Sequence, residues 1–215
     1  MKESSVAMFR QLICTYPALQ NIEPALFETA QAIEKCFRGG GKLLACGNGG
    51  SCADADHIVG ELMKGFRLRR PLSQASRMLL SAACPEESDY LVECLQEALP
   101  AISLCSHSSL ISAFSNDVQP DMVYAQQVYG YGRAGDVLVA ISTSGNAANV
   151  ANAVRVARAL GLVTIGLTGA AQSKLSTLCN ITLRVPETET FRVQELHLPV
   201  YHALCAVVEN QFFGA

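Results

Sequence analysis

The stretch from Gly41 to Glu61, GKLLACGNGGSCADADHIVGE, holds three local structures in tandem. Lys42 to Cys46 is a short apolar run of strand length. Gly47-Asn48-Gly49-Gly50-Ser51 is a tight glycine turn. The segment after it has the pattern of a helix and carries His57 and Glu61 four residues apart. A strand that passes through a glycine turn into a helix N-terminus turns backbone N–H groups outward and makes an anion site. Four residues is just over one helical turn, so His57 and Glu61 share a face. One short stretch therefore offers a phosphate cradle beside an acid/base or metal pair.

Working outward, Asp136 to Val150 (DVLVAISTSGNAANV) follows the same plan: a buried strand, a small-residue turn, and an Ala-rich helix start. The strand is continuously apolar, as parallel sheets require. Its turn, Ser142-Thr143-Ser144-Gly145-Asn146, supplies hydroxyls and backbone N–H groups at a helix N-terminus, which suits a phosphate monoester. A plain N-capping turn uses the same residue types, and spacing alone does not separate the two. No Walker lysine follows the glycines and no G-x-G-x-x-G occurs, so a nucleotide is not indicated.

The remaining chain alternates helix and strand. Residues 3–38 read as two helices, separated near Pro17 and Pro24 and stopped by Gly39-Gly40-Gly41. Further strands are expected at Ala101–Cys105, Leu162–Leu167 and Ile181–Val185. Helices are expected at Ser108–Ser115, Met122–Tyr131, Ala148–Leu160 and Glu187–Phe213, the last interrupted by Pro199. Residues 71–98 are the hardest to read, with a short helix expected over Tyr90–Ala98. The alternation predicts one α/β domain: a doubly wound parallel sheet in three layers, preceded by N-terminal helices, with its two ligand-facing turns at the carboxyl edge.

At 215 residues, half of them apolar, the chain can bury a large core. A net charge of −3 gives no general reason to bind nucleic acid or an acidic membrane. The local basic run from Lys64 to Arg70 reads as a solvated edge. Nine cysteines, an odd number with no C-x-x-C spacing, read as free thiols of a reducing cytoplasm. No signal-peptide core or membrane-length apolar run is present in the sequence.

Three of the four histidines fall in two segments: His57 in the opening stretch, and His197 and His202 near Gln194 and Glu195 in the last helix. Two histidines with a carboxylate and an amide oxygen suit zinc. The same groups suit proton transfer in a ketose–aldose isomerisation, which needs a base near a carbon-bound proton and an acid near a carbonyl. An i,i+4 His/Glu pair is also an ordinary structural feature of a surface helix.

The series GNGGS, H-x-x-x-E, Asn-Asp, GDVLVAISTSGN and Q-E-x-H-x-x-x-x-H resembles the phosphoheptose isomerase branch of the sugar-isomerase (SIS) domain family, over most of the chain except residues 71–98. The resemblance implies a SIS domain with flavodoxin-like strand order, acting on a phosphorylated sugar. The implied reaction interconverts sedoheptulose 7-phosphate and a D-glycero-D-manno-heptose 7-phosphate through an enediol. It also implies a cytoplasmic homotetramer with active sites between subunits, without nucleic-acid or membrane partners.

By the same resemblance, Asn48, Gly49 and Gly50 line the sugar, Asn116 and Asp117 contact substrate, and Ser142, Thr143 and Ser144 hold the phosphate. His57, Glu61, Gln194 and His202 match zinc positions, and Glu61 and His202 match the proton-transfer pair. Some SIS proteins instead bind sugar phosphates for regulation or partner a replication initiator. Those typically lose the His/Glu/Gln/His set, which is kept here. Three features depart from the family pattern: Ala147 stands where the loop normally continues with Ser, residues 71–98 are extra, and Pro199 lies between Gln194 and His202.

Overall fold

The structure, a computed structural model, describes residues 1–214. Five parallel strands form one sheet: β1 (Leu43–Cys46), β2 (Ala101–Ser103), β3 (Val137–Ile141), β4 (Val163–Thr168) and β5 (Ile181–Arg184). Their order is β2-β1-β3-β4-β5, the expected flavodoxin-like arrangement. Leu43, Ala45, Val137, Val139 and Ile141 turn to one face of the sheet, and Leu44, Cys46, Leu138 and Ala140 turn to the other. Both sets are buried, which is why these strands are apolar throughout rather than alternating.

The first face is covered by α1 (Glu3–Thr15), α2 (Glu23–Arg38), α3 (Gly50–Met63) and α10 (Thr190–Phe213). A 3-10 turn, Pro17–Ile22, joins α1 to α2. The second face is covered mainly by α7 (Val123–Tyr131) and α8 (Ala148–Ala159). α6 (Ser108–Asp117) and α9 (Lys174–Leu178) complete that side. The register pairs Cys46 with Ala140, so the two turns that follow β1 and β3 leave the same sheet edge side by side.

Three expectations need correction. Residues 71–98 form two helices, α4 (Gln74–Ala83) and α5 (Ser88–Cys94), so the single helix expected over Tyr90–Ala98 is displaced and α4 was not foreseen. No residue of α4 is buried, so it has no core-facing stripe, and Met78 and Leu79 are exposed. Second, α10 runs unbroken through Pro199. The proline removes the bond to the carbonyl of Glu195, and Glu195 lies on an exposed part of the helix where water can serve that carbonyl.

Third, the basic run is not wholly a solvated edge. Arg70 is fully buried and pairs with Glu209 at 2.8 Å. Its other guanidinium nitrogens donate to the carbonyls of Leu62 and Glu61 at 2.7 and 3.0 Å. Glu209 also accepts from the backbone N–H groups of Phe66, Arg67 and Leu68. This pair therefore ties down the end of α3 and the chain leaving it, where orphan carbonyls would otherwise need partners.

Candidate functional site

The two turns meet in one cleft of about 370 Å³, lined by Asn48, Gly49, Gly50, Ser51, Ser142, Thr143, Ser144, Ala147, Thr190 and Gln194, with Ile141 at its floor. Three helices begin at this cleft: α3 at Gly50, α8 at Ala148 and α10 at Thr190. Their positive dipole ends converge with serine and threonine hydroxyls, and no Lys or Arg lines the space. Such a lining offers an anion neutral donors.

The turn geometry explains the glycines. Gly49 has φ +55° and precedes α3, and Gly145 has φ +66°, a region costly for other residues. Gly50 is needed for space, because a Cβ there would run into the Gln194 amide. The Thr143 carbonyl accepts from Gly169 N–H at 2.9 Å, which pins the second turn to the loop after β4. Asn48 and Asn149 exchange two amide hydrogen bonds of 2.9 Å and clamp the turns together. Asn149 and Thr190 were not singled out from the sequence. Asn149 reads there as one more helix-start residue.

The second group lies farther along α3 and α10. His57 Nε2 is 3.1 Å from Glu61 Oε1, and the ring centroids of His57 and His202 are 4.9 Å apart, edge to face. The other Glu61 oxygen accepts from Lys64 Nζ at 2.8 Å. Burial works to raise the Glu61 carboxyl, but the Lys64 ammonium and the His57 ring outweigh it, and its pKa lies below the ordinary value. Burial, assisted by neighbouring His57, lowers the His202 imidazole against the opposing pull of Glu61. His202 Nε2 is buried with no protein partner. A cleft of about 290 Å³ opens beside His202, lined by α1 residues, Phe66 and Arg67.

Gln194 does not join this group within one chain. It sits eight residues before His202 on one continuous helix, about 12 Å along the axis, against Gly50. The structure thus brings His57, Glu61 and His202 together and places Gln194 with the serine cleft. As the side chains stand, no group of three or more His, Cys, Asp or Glu among the described residues is arranged to hold a metal ion. The donor chemistry of His57, Glu61 and His202, with the orphaned His202 nitrogen, nevertheless fits zinc.

Asn116 and Asp117 end α6, hydrogen-bonded to each other at 2.8 Å, and do not line the serine cleft. His197 is fully buried with neither ring nitrogen partnered. Burial lowers it to about 4, the nearby Thr168 backbone offsetting a part. It is a neutral packing group rather than a member of the site.

Among known proteins, a SIS domain family model matches residues 89–169. A phosphoheptose isomerase from Rhodospirillum rubrum is 40% identical over 192 residues, 89% of this chain and 88% of that protein. One from Aneurinibacillus thermoaerophilus is 32% identical over 211 residues, 98% of this chain and 91% of that protein. The solved phosphoheptose isomerase from Neisseria gonorrhoeae superposes with a TM-score of 0.73 at 32% identity, covering 97% of this chain and 98% of that one.

Proposed function

The chain belongs to the phosphoheptose isomerases of the SIS-domain family, and from that membership we propose how its residues divide the work. It is a phosphosugar isomerase, interconverting sedoheptulose 7-phosphate and D-glycero-D-manno-heptose 7-phosphate. The observation that carries this reading is the meeting of His57, Glu61 and His202 on two adjacent helices whose starts face a neutral phosphate cleft.

In this reading Ser142, Thr143 and Ser144 bind the phosphate, and Asn48, Gly49, Gly50 and Gln194 line the sugar. Asn116 and Asp117 reach substrate from the surface of a neighbouring copy. Glu61, kept ionised by Lys64 and His57, takes a proton from C1 of the ketose. The C1–C2 double bond forms as the C2 carbonyl becomes a hydroxyl, which gives the enediol. His202, held neutral by burial, can accept the O1 proton and deliver one to O2. Glu61 then returns its proton to C2, and the C1 carbonyl forms as the double bond closes back.

Zinc, where bound, would be held by His57, Glu61 and His202 and would polarise the sugar oxygens. Gln194 lies too far along α10 to serve the same ion in one chain, so it completes the set from a second copy. That division needs at least two copies, and the assembly we propose is a homotetramer with shared sites. We place the protein in the cytoplasm, where nine free thiols persist. No helix among the described residues is long and apolar enough to cross a membrane.

The test is an assay of the purified protein with sedoheptulose 7-phosphate, alongside its metal content and its mass by light scattering. Turnover in wild type with a loss of ~10²–10⁴-fold in Glu61→Gln is expected. An inactive wild type, or an undiminished Glu61→Gln, would overturn the mechanism.

A further inference from the structure

Asn149 does not line the serine cleft, yet it holds a side chain that does. It is the second residue of α8, and Asn48 lies in the turn after β1. Asn48 Nδ2 donates to Asn149 Oδ1, and Asn149 Nδ2 donates to Asn48 Oδ1, both at 2.9 Å. The two amides thus close a hydrogen-bonded ring between the turns. The buried Tyr124 hydroxyl donates to the Gly47 carbonyl at 2.6 Å and fixes the backbone from which Asn48 departs.

One backbone group sets the direction of the ring. A peptide N–H only donates, and that of Val150 lies 2.9 Å from the Asn149 amide. The amide atom facing it is therefore the oxygen. That oxygen calls for the Asn48 nitrogen, and the Asn48 oxygen is left to accept from Asn149. Flipping either amide alone would set oxygen against oxygen and N–H against N–H. An amide nitrogen carries two protons, and the ring uses the one on the side of its own oxygen. The other Asn48 proton points out of the ring, and no acceptor among the described residues takes it.

We infer that Asn149 is a positioning residue: it locks the Asn48 amide so that its outward proton serves an oxygen of the bound sugar phosphate. The same lock keeps the Asn48 oxygen turned away from an anionic ligand. Asn48 is exposed, and without the ring its amide would rotate, present its oxygen to the cleft as well, and lose that freedom on binding. This inference rests on the proposed function for the identity of the ligand. The ring itself does not depend on that reading.

The experiment has two readouts. NMR of the ligand-free protein with ¹⁵N-labelled asparagine follows the Asn48 side-chain amide, assigned by its loss in Asn48→Ala. Wild type shows its two protons well separated and slow to exchange with water. In Asn149→Ala they move to the positions of a solvated amide and exchange faster. Steady-state kinetics with sedoheptulose 7-phosphate give the second readout. Asn149→Ala raises KM ~3–10-fold with little change in kcat, and the same substitution adds little in an Asn48→Ala background. An Asn48 amide unchanged in Asn149→Ala overturns the inference. So does a KM rise of equal size in both backgrounds, the result if Asn149 served only α8 through Val150. Because the spectra need neither substrate nor turnover, an inactive wild type would remove the isomerase reading, and the NMR alone would still decide whether Asn149 locks Asn48.

Discussion

Arg70 and Glu209, 139 residues apart in sequence, form an ion pair at 2.8 Å in which neither side chain reaches solvent. Every polar atom of Glu209 is used: Oε1 accepts from Arg70 and Phe66, and Oε2 from Arg67 and Leu68. Arg70 in turn stacks over Phe213, 4.9 Å from its ring centre, and holds the carbonyl of Glu61.

Even the isosteric Glu209→Gln should therefore be costly. Its amide nitrogen would have to face N–H donors, and Arg70 would keep a buried, unpaired charge. A loss of ~3–5 kcal/mol is expected by urea unfolding. Activity should fall at denaturant concentrations where the variant is still folded, since the backbone of Glu61 loses its anchor.

Ala147 precedes α8 in an extended conformation and makes no capping bond. Ala147→Ser should cap the helix and add ~1 kcal/mol of stability. In a chain of this size that raises Tm by ~2–4 °C in a thermal melt. Because Ala147 lines the serine cleft, the same hydroxyl should lower KM for the sugar phosphate several-fold with little change in kcat.

Gly50 and Gln194 compete for one space. Gly50 lies outside the positive-φ region, so Gly50→Ala strains no backbone and only pushes the flexible amide aside. KM should rise by ~10-fold or more, with Tm nearly unchanged. Gln194→Ala should produce a similar rise, and combining the two should add little, a non-additivity read directly from steady-state kinetics.

His197 gives the fold an acid-sensitive element. Its folded pKa of about 4 lies below the ordinary imidazole value, so the fold favours the neutral ring. Its contribution is complete above pH ~6.5 and is lost progressively as pH falls toward 4, where the unfolded chain takes up the proton first. The wild type should lose ~3 kcal/mol more than His197→Leu across that window. Equal pH slopes in the two unfolding series would contradict the assignment.

Much of this molecule could be read from local pattern. The β1 and β3 units each carry an apolar strand, a small-residue turn and a helix start within about 15 residues, and periodicity marks such units well. What stayed hidden depended on partners far away in the chain. Arg70 looked solvated because nothing in Lys64–Arg70 points to Glu209. α4 does carry apolar residues at helical spacing and was obscured by the flanking Pro71 and Pro85, and α9 is only 5 residues, marked by a Ser173–Ser176 capping box. Tyr201 reads as an apolar helix residue until its hydroxyl is seen between Asp54 and His57. Sequence spacing alone does not show that Gln194 and His202, eight residues apart on one helix, lie about 12 Å apart along its axis.

That same spacing gives α10 a fixed phase. At about 100° per residue, Gln194 and His202 stand two turns and about 80° apart, and no loop lies between them to absorb an error. Deleting one residue anywhere between them would swing His202 about 100° away from His57 while Gln194 kept its place beside Gly50. The helix accommodates Pro199 within this interval, but a change in length would break its phase. The distance from Gln194 to His202 is quantised by the helix itself.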